Sequence, residues 1–288
     1  MNSLYRLNQP IQHQDLAPPP RFLYGTAWKE EKTEHLTYTA LTAGFTGIDT
    51  ANQRRHYDEA GVGKAIRRFL SDTAGKREKL FLQTKFTYLS SQDHRLPYQA
   101  NASPTEQVEQ SLQSSLDHLG THYIDSYLLH GPSSQQGLAA IDREVWRTME
   151  QFHKAGQMRF LGLSNINLEQ LQLLLELAEI KPAFVQNRCY ARQRWDLDIR
   201  QLCRSQHIIY QGFSLLTANT AVLNHPGIHK ISQRLKLSAA QVIFLFALQT
   251  DMTPLTGTCN RQHMLDDLAI TQFELSDQEL GFIENIAC

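Results

Sequence analysis

The chain is poor in cysteine: its 288 residues hold four, Cys189, Cys203, Cys259 and Cys288. None falls in a CxxC pair or a zinc-ligand spacing, so neither a disulfide scaffold nor a structural metal is read, and reduced thiols in a cytoplasmic protein are expected. Charge of one sign is also lacking. With 28 Lys plus Arg against 29 Asp plus Glu, the formal net charge is −1, which offers no footprint for nucleic acid or an anionic membrane. Lys and Arg gather between Arg54 and Lys79, but Asp58, Glu59, Asp72 and Glu78 interrupt them, as on a solvated surface. Long apolar runs are missing. The longest, "VIFLFAL" at 242–248, falls far short of the ~20 residues of a membrane-spanning helix. The opening "MNSLYRLNQPIQHQDLAPPP" has no basic region leading into an apolar core, so residues 1–20 read as a polar leader rather than a signal peptide. No Gly/Ser-rich linker divides the chain, which reads as a single domain over 1–288.

What is present is alternation. Strand-like runs at 21–27, 79–86, 123–130, 158–165, 182–187 and 207–213, with "FTGID" and "MTPLTG", are each followed by a helical pattern. The best helix is "SPTEQVEQSLQSSLDHLG" at 103–120. Ser103 with Glu106 makes a capping box, Pro104 suits the first helical position, and Gly120 closes the helix. Eight such units predict an α/β fold, a (β/α)8 TIM barrel. The rival, an open doubly wound sheet, needs GxGxxG after its first strand, and "YGTAWK" has none; the two glycines of "GVGKAI" read as helix packing. Two stretches, 87–102 and 216–236, read as long loops at the carboxyl rim. His225 and His229 are four apart in the second, but Pro226 and Gly227 argue against a helical turn there, so they read as loop histidines and no metal is expected.

The chemistry sits where strands end. Asp49, Lys85 and His130 close the second, third and fourth strands, and a barrel brings them to one rim. A lysine at the end of an apolar run is costly to bury without a carboxylate, and Asp49 is one strand away. Tyr57, in the loop after the second strand, can fold over the same rim. A nearby ammonium would make that phenol a better acid, and a histidine can polarise a carbonyl oxygen. Taken singly, each residue has a bland reading: loop cap, snorkelling lysine, strand-end histidine, loop aromatic.

Over nearly its full length the chain resembles an aldo-keto reductase, through "YGTAW", "GIDTA…HYDEAGVGKAI", "QTKF", "YIDSYLLHGP", "RFLGLSN", "QNRCY" and the terminal "PLTG". The resemblance implies a catalytic tetrad of Asp49, Tyr57, Lys85 and His130. It also implies a nicotinamide cofactor, NADPH rather than NADH, bound without a Rossmann fold. Ser164 and Asn165 would hold the carboxamide. The glutamine of the sixth strand falls on Gln186 or Asn187, with Gln186 preferred on chemistry; alternation allows only one to face the cofactor. Phe213 takes the place of the stacking tyrosine, followed by Ser214 and Leu216. At the phosphate end Leu255 stands where the family has lysine and Thr256 where it has serine. Gly257, Arg261 and His263 complete that set, with backbone amides of "TGT" available to phosphate. The Asp49–Tyr57 interval is longer than the family's, with "QRR" added, which puts Arg54 and Arg55 near the pocket mouth. Trp28 and Tyr88 follow strand ends and are candidate substrate-pocket aromatics. The activity implied is reversible hydride transfer to a small aldehyde or ketone, in a monomer or weak homo-oligomer. The alternatives are a catalytically silent nicotinamide-binding barrel acting as a regulatory subunit, and a different barrel enzyme.

Overall fold

The computed structural model describes residues 16–287. Of the expected polar leader, residues 1–15 lie outside the described residues, as does Cys288. Eight strands form one closed parallel barrel in chain order: β1 (Leu23–Gly25), β2 (Gly47–Asp49), β3 (Phe81–Phe86), β4 (Ile124–Leu129), β5 (Met158–Ser164), β6 (Phe184–Arg188), β7 (Ile209–Phe213) and β8 (Met252–Thr256). β8 pairs back onto β1, Leu23 opposite Leu255. The outer ring begins with α1 (Thr33–Ala43), α2 (Glu59–Thr73), α3 (Pro104–Leu119), α4 (Ala140–Lys154), α5 (Leu168–Leu177) and α6 (Leu197–Ser205). It continues with α7 (Thr220–Leu223), α8 (Pro226–Leu235), α9 (Ala239–Gln249), α10 (Arg261–Ala269) and α11 (Asp277–Glu284).

β3 and β4 are buried along their whole length. Helices cover them outside and side chains fill the barrel inside, so the polar residues of FLQTKF and IDSYLL must find partners within the fold. Near the strand starts Leu23, Phe81 and Phe184 close the interior together with Leu128, the two phenylalanines meeting edge to face at 5.7 Å. Pro20 seals this end. A Cβ on Gly47 would lie 2.3 Å from Pro20 Cγ and 2.6 Å from Leu23 Cδ2, so only glycine fits there. In "GVGKAI", a Cβ on Gly63 would lie 2.0 Å from the His118 carbonyl oxygen; that glycine lets α2 approach the end of α3. Residues 242–248 of α9 are all buried, each large apolar side chain contributing about 1.5–3 kcal/mol.

The α3 boundaries follow its caps: the Ser103–Glu106 box is formed, Pro104 is the first helical residue and Gly120 is left-handed at φ +67°. The expectation of a loop over 216–236 is corrected. α7 and α8 lie there, and Pro226 starts α8 instead of breaking it, because the first helical residue needs no amide hydrogen. His225 is the cap, its Nδ1 accepting from Gly227 N at 3.0 Å. The backbone amides of "TGT" are not at a helix start either; α10 begins at Arg261, and α11 follows it.

Candidate active site

Above the apolar floor the barrel interior turns polar. Gln83 and Lys85 are two apart on β3 and share its inward face. Lys85 is fully buried, and its Nζ donates to Asp49 Oδ1 at 2.7 Å, Asp49 Oδ2 at 2.8 Å and the Thr50 carbonyl at 2.8 Å. Asp49 Oδ1 also accepts from Gln83 Nε2 at 2.8 Å and Gln186 Nε2 at 3.0 Å. Burial lowers the Lys85 pKa, and the Asp49 charge opposes that shift.

Tyr57 lies on the turn before α2, half-buried, its ring centre 5.4 Å from Lys85 Nζ and 6.0 Å from the His130 ring. The expectation that the ammonium makes this phenol more acidic is corrected. Burial, and then the Asp49 charge, raise its pKa above the ordinary value. Removal from water is the larger cause, because the neutral phenol is easier to bury than the phenolate, and the Asp49 carboxylate adds to it. Tyr57 is therefore held protonated, as a proton donor must be.

His130 follows β4 directly. Its backbone N donates to the Phe86 carbonyl at 2.9 Å and its Nδ1 lies 2.7 Å from Thr87 Oγ1. Burial, then the charges of Lys85 and His56, push its pKa down to about 3. The ring is neutral at pH 7, and a donating Thr87 hydroxyl leaves Nε2–H as a hydrogen-bond donor.

Asp49, Tyr57 and His130 open into one cavity of about 1710 Å³ that continues along Ser164, Asn165, Gln186, Phe213, Ser214 and Leu216 to Thr256, Gly257 and His263. Asn165 is left-handed at φ +54°, and its Nδ2 donates to the His130 carbonyl at 2.7 Å and to Ser164 Oγ at 3.1 Å. On β6 both Gln186 and Asn187 line the cavity, but their amides turn to different partners. Gln186 points inward to Asp49, whereas the Asn187 amide clamps the backbone of Ile166, at 3.0 Å from its N and 2.8 Å from its O. Phe213 ends β7 with the Arg188 guanidinium 5.6 Å from its ring centre. Arg261 is not brought to the site: it is exposed and absent from the cavity wall. A cation that sequence reasoning missed stands at that end, Lys29, whose Nζ donates to the Gly257 carbonyl. Asp267 also lines it, buried, with its pKa raised to about 6. Trp28 is 69% exposed at the mouth and stacks on His56 at 3.9 Å. Tyr88 lies in the wall, but its hydroxyl turns away to Asp142 Oδ1 at 2.8 Å. Arg54 pairs with Asp58, and Arg55 is exposed.

The residues present fit a nicotinamide dinucleotide. The cavity exceeds the ~300–1,000 Å³ of a single small ligand. It offers in sequence an aromatic face at Phe213, hydroxyl and amide groups at Ser164 and Asn165, and a cation at Lys29. A barrel that receives a dinucleotide across its rim, with no Rossmann unit, defines an NAD(P)H-dependent oxidoreductase of the barrel class. The model of the Aldo/keto reductase family matches residues 23–287, and the chain belongs to that family. It is 28% identical over 267 residues to an uncharacterized oxidoreductase, YtbE, of Bacillus subtilis, covering 92% of this chain and 88% of that one. It is 27% identical to an NADPH-dependent alpha-keto amide reductase of Saccharomyces cerevisiae, covering 91% and 84%, and 26% identical to a glyoxal reductase of B. subtilis, covering 88% and 83%. Among solved structures, the aldose reductase of Schistosoma japonicum superposes with a TM-score of 0.80 at 22% identity, covering 97% of this chain and 92% of that one, a likeness of fold.

Proposed function

We propose that the chain reduces a small aldehyde or ketone with NADPH, reversibly, with Tyr57 as the proton donor. One observation carries the reading: a protonated phenol stands 5.4 Å from an enclosed ammonium and 6.0 Å from a neutral imidazole, on the wall of a dinucleotide-sized cleft. When bound, the nicotinamide supplies the hydride to the carbonyl carbon. Tyr57 gives its proton to the carbonyl oxygen as that oxygen gains charge, and Lys85 faces the phenolate left behind. His130 orients the same oxygen through Nε2–H. Asp49 keeps Lys85 charged. Ser164, Asn165 and Gln186 line the carboxamide position, Phe213 offers a ring face, and Ser214 and Leu216 complete that wall. Lys29, Thr256, Gly257 and His263 face the phosphates. NADPH is preferred over NADH on the Lys29 cation and on the NADPH-dependent relative. Proposed partners are small carbonyl compounds, not nucleic acid or membrane, and the proposed location is the cytoplasm.

The test is rapid mixing of NADPH-loaded protein with methylglyoxal. The expected result is loss of the reduced-nicotinamide absorbance in a single turnover. Bound cofactor with no absorbance loss would instead identify a silent cofactor-binding barrel.

A further inference from the structure

The substrate end of the cleft holds a second histidine that the tetrad does not use. His56 lines the cavity beside Tyr57 and stacks on Trp28 at 3.9 Å. Its Nδ1 lies 2.8 Å from Gln53 Oε1. The amide of Gln53 has one possible orientation, because its Nε2 donates to the Ser91 carbonyl at 2.7 Å and a carbonyl can only accept. Oε1 therefore faces His56 and must receive a proton from it. That fixes the hydrogen on Nδ1 and leaves a lone pair on Nε2, which no hydrogen bond engages among the described residues. Burial, then the Arg55 charge, lower the pKa of this imidazole, against the opposing charge of Asp93, so the neutral form prevails at pH 7.

We propose that His56 is a specificity-determining residue whose Nε2 accepts a hydrogen bond from the substrate, selecting carbonyl compounds that carry a hydroxyl or amide N–H close to the reacting carbonyl. The inference rests on the reductase reading above and deepens it. It divides the polar work of the site. Tyr57 and His130 donate to the carbonyl oxygen, and His56 accepts from a second group on the same molecule. His56 precedes Tyr57 in the chain and lines the same cavity as Tyr57 and His130. A donor-bearing substrate satisfies the lone pair, whereas an analogue with methyl in place of hydroxyl leaves it without that partner.

The experiment compares two matched pairs, hydroxyacetone with 2-butanone and 4-hydroxy-2-butanone with 2-pentanone. In each, a methyl replaces a hydroxyl. kcat/KM is measured for the wild type and for His56→Phe, which keeps a ring against Trp28 and removes both nitrogens. The ratio of hydroxylated to methylated substrate should fall about tenfold in at least one pair, the size of a single hydrogen bond. Nitrogen-15 NMR of the histidine rings, assigned by loss of one signal in His56→Phe, should show the Nδ1-protonated form in the wild type. It should show a tautomer mixture in Gln53→Leu. Ratios that do not move in either pair, or an Nε2-protonated His56, overturn the proposal. A wild type that reduces none of the four ketones, nor methylglyoxal, overturns the reductase reading and this inference with it.

Discussion

Gln83 and Gln211 exchange hydrogen bonds across the inside of the barrel, Gln83 Nε2 to Gln211 Oε1 at 2.7 Å and Gln211 Nε2 to Gln83 Oε1 at 3.0 Å. Both are buried, and Gln186 Nε2 joins them at Gln211 Oε1, 3.0 Å away. Barrel interiors are usually filled by branched apolar side chains. Here three amides form a closed polar layer whose spare donors fall on Asp49 Oδ1. Their cost of burial is offset because each finds partners, and their function is to hold the carboxylate that holds Lys85.

Removing either member of this pair should therefore strand its partner. Gln83→Leu strands the Gln211 amide and is expected to destabilise by about 1–3 kcal/mol, with Gln211→Leu similar. The double variant Gln83→Leu/Gln211→Leu should lose less than the sum of the two, because neither member of the pair then strands the other, and Gln186 keeps its bond to Asp49. Denaturant unfolding of the four proteins checks this. Strict additivity would show that the two amides are not coupled.

Tyr57→Phe removes the proton donor and leaves the cleft otherwise filled. Carbonyl reduction should fall by about 10²–10⁴-fold, while the dissociation constant for NADPH, read by fluorescence titration, stays within twofold or so. Full turnover by the variant would take Tyr57 out of the acid role.

At the phosphate end two cations are candidates, Lys29 in the cavity wall and Arg261 exposed outside it. Lys29→Ala should weaken NADPH binding several-fold, and more than NADH binding. Arg261→Ala should change both little, as expected for an exposed charge worth ~0–1 kcal/mol. Isothermal titration of both variants with both cofactors decides between them. A larger effect at Arg261 would restore the assignment that sequence reasoning favoured.

Acid stability carries two opposing signs. His130 is held neutral, its pKa about 3 against an ordinary value of 6.5, so its contribution is complete above that ordinary value and is lost as pH falls towards about 3. Asp267 is held protonated, its pKa about 6 against 3.8, so its contribution is complete below the lower value and is lost as pH rises through the upper one. Between about pH 4 and 6 the two slopes oppose each other. Asp267→Asn removes one of them and should steepen the fall in Tm over that range, whereas His130→Gln should flatten it. Thermal melts at half-unit pH steps read both.

The barrel was legible because its signals are local. Short apolar strands, the Ser103–Glu106 box and the stop at Gly120 each speak for a few neighbouring residues. The rim residues Asp49, Lys85 and His130 were legible because strand ends in a parallel barrel share one face. α8 was missed because Pro226 reads as a breaker unless it is recognised as the first helical residue. The glutamine layer joins residues 128 and 25 positions apart, distances over which a one-dimensional pattern carries no signal. Two clues were available: Gln83 shares the inward parity of Lys85, and Gln211 that of Phe213. The phenol's raised pKa was out of reach for another reason. Spacing placed an ammonium beside Tyr57, but the burial and the Asp49 charge that raise its pKa exist only once the chain is folded.

The lysine at the centre of this site has a chemical consequence of its own. An amine next to a reactive aldehyde ordinarily condenses with it to an imine. Lys85 has three N–H bonds, and all three are committed, to Asp49 Oδ1, Asp49 Oδ2 and the Thr50 carbonyl. With its proton anchored and no lone pair offered to the cleft, this nitrogen is shielded from attacking the electrophile the site is proposed to turn over, so the ion pair also protects the protein from its own substrate.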